Sequence, residues 1–232
     1  IMAGMFSRAY GFNQPIGDWD VSSVTNMQSM FYDNPSFNQP IGNWDVSSVT
    51  TMRSMFGEAI FFNQPLGDWD VSNVTDMVNM FGSYDGTIST VFNQPIGNWD
   101  VSNVTNMAGM FQNNIEFDQP IGDWDVSSVE FMYVMFDNAP LFNQDISNWD
   151  VSNVTQIYYM FRNATSFNQA IGGWDVGNVT LIFDMFKGAT SFNQDLSNWQ
   201  FRVSIELDDF IDNSGLDINN YDALLAAFSN QN

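Results

Sequence analysis

The chain has 232 residues, with 27 Asp and Glu against five Lys and Arg, a formal net charge of −22. That balance excludes a nucleic-acid ligand, which needs clustered Lys and Arg on its phosphates, and disfavours an anionic membrane surface. There is no Cys to build a disulfide framework and no His to serve as a base, and no apolar run approaches the roughly 18 residues that would cross a bilayer.

Residues 1–11 read as the second half of a repeat, because Met2, Met5 and Phe6 match Met27, Met30 and Phe31 one period later. The chain is therefore expected to be a piece of a longer protein. The first full copy begins at Phe12, in F-N-Q-P-I-G-D-W-D-V-S-S-V-T-N-M-Q-S-M-F. Its tryptophan, Trp19, recurs at 44, 69, 99, 124, 149, 174 and 199, at steps of 25 residues with one of 30. A fixed period in this range means stacked supersecondary units, each burying its apolar face on its neighbours. The copies are numbered 1 to 8 by these tryptophans. With 22 Phe, 14 Met and 8 Trp, a large shared core is available.

Within a copy, Trp19-Asp20-Val21-Ser22 alternates apolar and polar, which predicts a short strand paired in parallel with its equivalents. Val24, Met27, Met30 and Phe31 then follow at helical spacing. The residue before Val24 is Ser or Asn in every regular copy, as at Ser23, Ser48, Asn73 and Asn103, and reads as a helix N-cap. Asn13-Gln14 recurs as Asn38-Gln39, Asn63-Gln64 and onward, and reads as a ladder of amides bonded from copy to copy. Thr25 recurs as Thr50, Thr75, Thr105, Thr155 and Thr180, with Glu130 in place of Thr in copy 5.

The 30-residue step comes from extra residues between Phe81 and Phe92, expected to bulge as a loop. Copy 8 is degenerate. Beyond Asn213-Ser214-Gly215, Asn219 or Asn220 is expected to cap a final helix carrying Tyr221, Leu224, Leu225 and Phe228 on one face. The expected organisation is a single domain over 1–232: a partial repeat in 1–11, repeats in 12–211 and a C-terminal cap in 212–232.

The motif W-D-V-S-x-V-T-x-M-x-x-M-F-x-x-A-x-x-F-N-Q, with N-Y-D-x-L-L at Asn220 to Leu225, resembles the bacterial surface-protein repeat of about 25 residues, a relative of the BspA-like leucine-rich repeats. The resemblance implies an α/β repeat solenoid, a right-handed leucine-rich-repeat-like coil with one short parallel strand and one short helix per repeat and a C-terminal capping helix. It also implies an extracellular or cell-surface location, a monomer within a longer chain, and adhesion to a host or neighbouring-cell protein or glycan. It carries no catalytic residue.

The sharpest candidate binding constellation is the column Asp20, Asp45, Asp70, Asp100, Asp125, Asp150 and Asp175. With Asp18, Asn43, Asp68, Asn98, Asp123 and Asn148 it would make an acidic outer face. On paired strands these carboxylates would stand about 5 Å apart, with repulsion of about 1 kcal/mol per pair in bulk water and more at lower dielectric. Relief comes either from bound Ca²⁺ on the same column or from Asx-type bonds to the residues two positions on. The second fits better, since Asp occurs in every regular copy just before a corner. No enzyme constellation is present. The expected function is a non-enzymatic adhesion or binding module, with a stiff structural spacer as the alternative.

Overall fold

In the computed structural model, which describes residues 1–201, 205 and 207–229, each 25-residue copy is one coil laid on the next. The only helix among the described residues, α1 (Ile218–Ser229), follows the last coil. The leucine-rich-repeat-like α/β expectation is overturned. Among the described residues no coil contains a helix, and pairing between coils shrinks to isolated parallel bridges, with a second bridge, Thr90↔Asn114, where the insertion meets copy 4. These run Asn26↔Thr51, Thr51↔Asp76, Asp76↔Asn106, Asn106↔Phe131, Phe131↔Gln156 and Gln156↔Leu181. They fall several residues beyond the segment expected to be the strand. Around Trp19-Asp20-Val21-Ser22 the chain turns instead, with the Val24 N–H donating to the Val21 carbonyl at 2.8 Å.

The segment expected to be helical shows why. The N–H groups of Met27, Ser29, Phe31 and Asp33 donate to the next coil, at the carbonyls of Thr51 (3.1 Å), Arg53 (2.8 Å), Met55 (2.9 Å) and Gly57 (2.8 Å). The alternate groups, Met30, Tyr32 and Asn34, donate three residues back, to Met27, Ser29 and Phe31, each at 3.2 Å. Four donors tie coil to coil, three fold the coil into successive turns and the Gln28 N–H bonds Asn26 Oδ1 at 2.9 Å, so every donor from Met27 to Asn34 is used without a helical ladder. Consecutive three-residue turns put apolar residues inward at the same i, i+3 spacing as a helix, and the period alone does not separate the two. The turns place a left-handed residue twice in most coils, and once in copy 3, at Asn79, where the insertion follows. Positive φ recurs at Ser29 and Asp33, Ser54 and Glu58, Gly109 and Asn113, Val134 and Asn138, Tyr159 and Asn163, and Asp184 and Gly188.

The interior is built from columns of like residues. Phe31, Phe56, Phe81, Phe111, Phe136, Phe161 and Phe186 stack along the molecule at 5.6–5.9 Å between successive ring centroids. Each also lies nearly parallel to the Phe that opens the next copy, as in Phe31–Phe37 at 3.8 Å and Phe136–Phe142 at 3.8 Å. The indole N–H of each buried Trp donates to the preceding coil, Trp44 to Ile16 at 3.0 Å and Trp124 to Ile96 at 3.2 Å. The glycine after Ile41 is demanded by close approach: a Cβ on Gly42 would stand 2.8 Å from the carbonyl oxygen of Pro65 in the next coil.

The C-terminal helix is present, but its cap is Asp217, not Asn219 or Asn220. The Asp217 carboxylate accepts the N–H groups of Asn219 (2.9 Å) and Asn220 (3.0 Å). Asn220 instead extends the amide ladder, its side-chain N–H bonding Asn193 Oδ1 at 2.9 Å. Of the four residues expected on its packing face, Leu224 is buried, Phe228 is partly buried against the core, and Tyr221 and Leu225 remain exposed. Residues 202–204 and 206 of the degenerate eighth copy lie outside the described residues.

Candidate binding face

Each residue of the Asp column is exposed and held by its own turn. Asp20 Oδ1 accepts the Ser22 N–H at 3.1 Å and the Ser22 hydroxyl at 2.6 Å, and the same pair recurs at Asp45–Ser47, Asp70–Ser72, Asp100–Ser102 and Asp125–Ser127. In copy 7 the partner is Gly177, which gives only its N–H, at 2.9 Å. The Ser hydroxyl first and the Ser N–H second hold the carboxyls of Asp20, Asp70, Asp125 and Asp150 below the usual carboxylate range. One oxygen per carboxylate is thus committed to the local turn. Among the described residues no three acidic side chains gather closely enough to hold a metal ion.

The other regular polar columns also serve the stack. Asn38 accepts the Asn63 N–H at 3.0 Å and the Gln64 side-chain N–H at 3.0 Å, so the amide ladder expected from the sequence is present. The Asn residues expected to cap helices have no helix to cap. Asn73, Asn103, Asn153 and Asn178 donate instead to Ser carbonyls of the preceding coil at 2.7–2.8 Å. The Thr hydroxyls do likewise, Thr75 to the Thr50 carbonyl at 3.2 Å and Thr155 to the Glu130 carbonyl at 3.2 Å.

One region is not explained by the repeat. The bridge segment points Met27 and its equivalents inward and leaves the positions of Asn26, Gln28 and Ser29 facing out. In copies 1 to 4 these positions carry polar, small or shielded residues. In copies 5 to 7 they carry Phe131, Tyr133, Tyr158, Tyr159, Leu181 and Phe183, all partly or largely exposed, Leu181 at 41 %. Tyr133, Tyr158 and Phe183 stack at 4.8 Å and 4.9 Å, and Tyr159 meets Tyr158 and Phe183 edge-on. Burial, then the neighbouring Tyr133 and Tyr159, hold the Tyr158 phenol above its ordinary value, so at neutral pH it is an uncharged donor.

Among the described residues, positive charge is confined to one stretch of the coil. The four described cations, Arg8, Arg53, Arg162 and Lys187, all sit in the part of the coil from the Gln28 position to the Asp33 position, each paired with carboxylates. Arg162 lies 4.2 Å from the centre of the Tyr159 ring and grips the fully buried Asp137 with two bonds, Nε at 2.8 Å and a terminal nitrogen at 2.6 Å. Gln112 completes that site at 3.2 Å. The inserted loop lies in register with this face. Ser83 and Thr90 bind it to copy 4 through Gln112 and Asn113, and the Tyr84 hydroxyl reaches Ser54 at 3.4 Å. Reading the repeat for its regular columns missed the aromatic patch, and the usable signal was the opposite one, aromatic residues at positions where other copies hold Asn, Thr, Gln or Ser.

A family model, described as Mycoplasma protein of unknown function, DUF285, matches residues 1–87, 86–149 and 132–221. Three tandem matches fit the observed coils and give no support to the leucine-rich-repeat relationship. No curated protein and no solved structure matches.

Proposed function

The chain belongs to the DUF285 family, and from that premise we propose that it is a non-enzymatic binding module, presented at a cell surface, that engages a protein or glycan through the aromatic face of copies 5 to 7. The observation that carries this reading is the break in the repeat. The apolar columns are accounted for by core packing, the amide, Asn and Thr columns by coil-to-coil bonds and the Asp20 column by its local turns, whereas Tyr133, Tyr158, Tyr159 and Phe183 put rings where the stack needs none. Tyr and Arg are among the side chains enriched at the energetic centres of protein interfaces, and Arg162 is already fixed over Tyr159. The sequence offers no His or Cys for nucleophilic or acid–base chemistry. The resemblance to bacterial surface repeats supports display outside the cell. The acidic column, the other candidate surface, is held at every copy by the same Asx-type turn, which makes its regularity a property of the repeat.

The test is adhesion of protein-coated beads to cultured epithelial cells, comparing wild type with a variant carrying Tyr133→Ser, Tyr158→Ser and Phe183→Ser, both checked for folding by circular dichroism. Adhesion by wild type and its loss in the folded variant support the reading. Equal adhesion by both removes the aromatic face from the proposal, and no adhesion by wild type favours the spacer, to which the continuous bonding from coil to coil is suited.

A further inference from the structure

We propose that the partner of this face is a cationic polypeptide segment, whose Lys or Arg side chains lay their stems along the Tyr133–Tyr158–Phe183 edge and bring their heads to Glu130. The inference rests on the binding reading of that face and names the chemistry it selects. Glu130 is the single departure from Thr at its position in the regular copies. The backbone there is unchanged, its N–H donating to Thr105 at 2.8 Å and its carbonyl accepting from Thr155 at 2.9 Å. The hydroxyl bond to the preceding coil that Thr makes at this position is given up. In its place an exposed carboxylate lines a shallow hollow with Ser128, Asn153, Thr155 and Asn178. No cation among the described residues pairs with it.

The rings that begin three residues along the same coil, at Tyr133, narrow the choice of ligand. Tyr158 is covered on both faces, by Tyr133 and by Phe183, and Arg162 already lies against Tyr159. The strip therefore offers Tyr158 edge-on, which suits an aliphatic stem better than the flat face of a sugar ring. Lys and Arg combine such a stem with a charged head. The nearby cations Arg162 and Lys187 are neutralised by Asp137, and by Asp184 and Asp209. The −22 field of the whole chain steers a cationic partner inward.

The probe is a fluorescein-labelled peptide of alternating Lys and Ala, titrated at physiological salt against wild type, Glu130→Gln, Tyr158→Ser and the isosteric control Glu116→Gln, an exposed carboxylate elsewhere. Thermal melts confirm that each variant is folded. Glu130→Gln and Tyr158→Ser should each weaken binding by about fivefold or more, and Glu116→Gln by less than about twofold, because local desolvated contacts exceed exposed, screened ones. Acetylating every Lys of the peptide should abolish binding. Equal losses at Glu130 and Glu116, or no binding by wild type, would overturn the proposal by leaving only a diffuse field. Failure of the peptide while Tyr158→Ser still reduces cell adhesion would sink the cationic partner and spare the binding module. A Tyr158→Ser protein with unchanged adhesion would sink the module reading of this face.

Discussion

Val134 sits at φ 52°, a left-handed conformation that a β-branched side chain adopts only under external constraint. The constraint is visible: its N–H donates to the Tyr158 carbonyl at 3.0 Å, and the coil turns there as every other coil does. Equivalent positions hold Asn79 and Gly109, residues that accept this conformation at less cost. Val134→Asn should therefore raise stability by roughly 1 kcal/mol, read as a higher urea midpoint with an unchanged slope. The Asp column gives a second expectation at this scale. Hydrogen bonds from Ser72, Ser127 and Ser152 lower the folded-state pKa of Asp70, Asp125 and Asp150. A carboxyl lowered in the folded state contributes stability above its unfolded value, about 4, and that contribution disappears as pH falls through the folded value. Replacing all three Asp with Asn should make the fall of Tm between neutral pH and about pH 2 shallower than in wild type; an unchanged profile would mean that the Ser bonds do not favour the ionised form.

At the scale of one coil, stability depends on the seam with its neighbours. Trp124 is 3 % exposed and its indole N–H bonds the Ile96 carbonyl at 3.2 Å. That carbonyl also accepts the Trp99 N–H at 3.1 Å, so Trp124→Phe leaves it with one partner. The loss is then the net worth of one hydrogen bond plus the removed ring volume, roughly 2 kcal/mol together. Trp19, in copy 1, is 36 % exposed, and Trp19→Phe should cost less than about 1 kcal/mol. Chemical denaturation of the two variants checks the contrast, and equal losses would show that the seam does not depend on the indole bond. The apolar spacing of Val24, Met27, Met30 and Phe31 identified the inward side of this element correctly. It misjudged the backbone, because alternate N–H groups leave for the next coil, and no local pattern records where a donor finds its acceptor. The run Asp33, Asn113, Asn138, Asn163 and Gly188 was the legible warning, being rich in residues that tolerate positive φ.

Across the whole molecule, columns of identical groups run through all the regular copies: a Phe stack, a Trp seam, an amide ladder and a row of Asx-type turns. Each coil shares its core and alternate backbone bonds with its neighbours, so stability is a property of contiguous coils more than of any one. The same arrangement separates charge. The Asp column occupies one stretch of the coil, and the described Arg and Lys residues occupy another, with Arg162 and Lys187 of that stretch falling in the copies that carry the aromatic patch. A departure from the repeat at one outward position is thereby multiplied, since equivalents in successive coils stand next to each other and stack. Three aromatic substitutions in copies 5, 6 and 7, each distant in sequence, become one continuous strip.

The sequence by itself determined the period, the number of coils, the inward columns and the amide ladder, because these follow from repetition and from which side chains avoid water. It also contained the Asp turns, since Asp followed two residues later by Ser makes its bond locally. Tertiary structure alone decided that the coils hold turns in place of helices and strands, because that choice depends on hydrogen bonds to residues 24 positions away, as from Met27 to Thr51. It likewise decided that Tyr133, Tyr158 and Phe183 form one strip, since the stacking distance that joins them is set between coils and never along the chain.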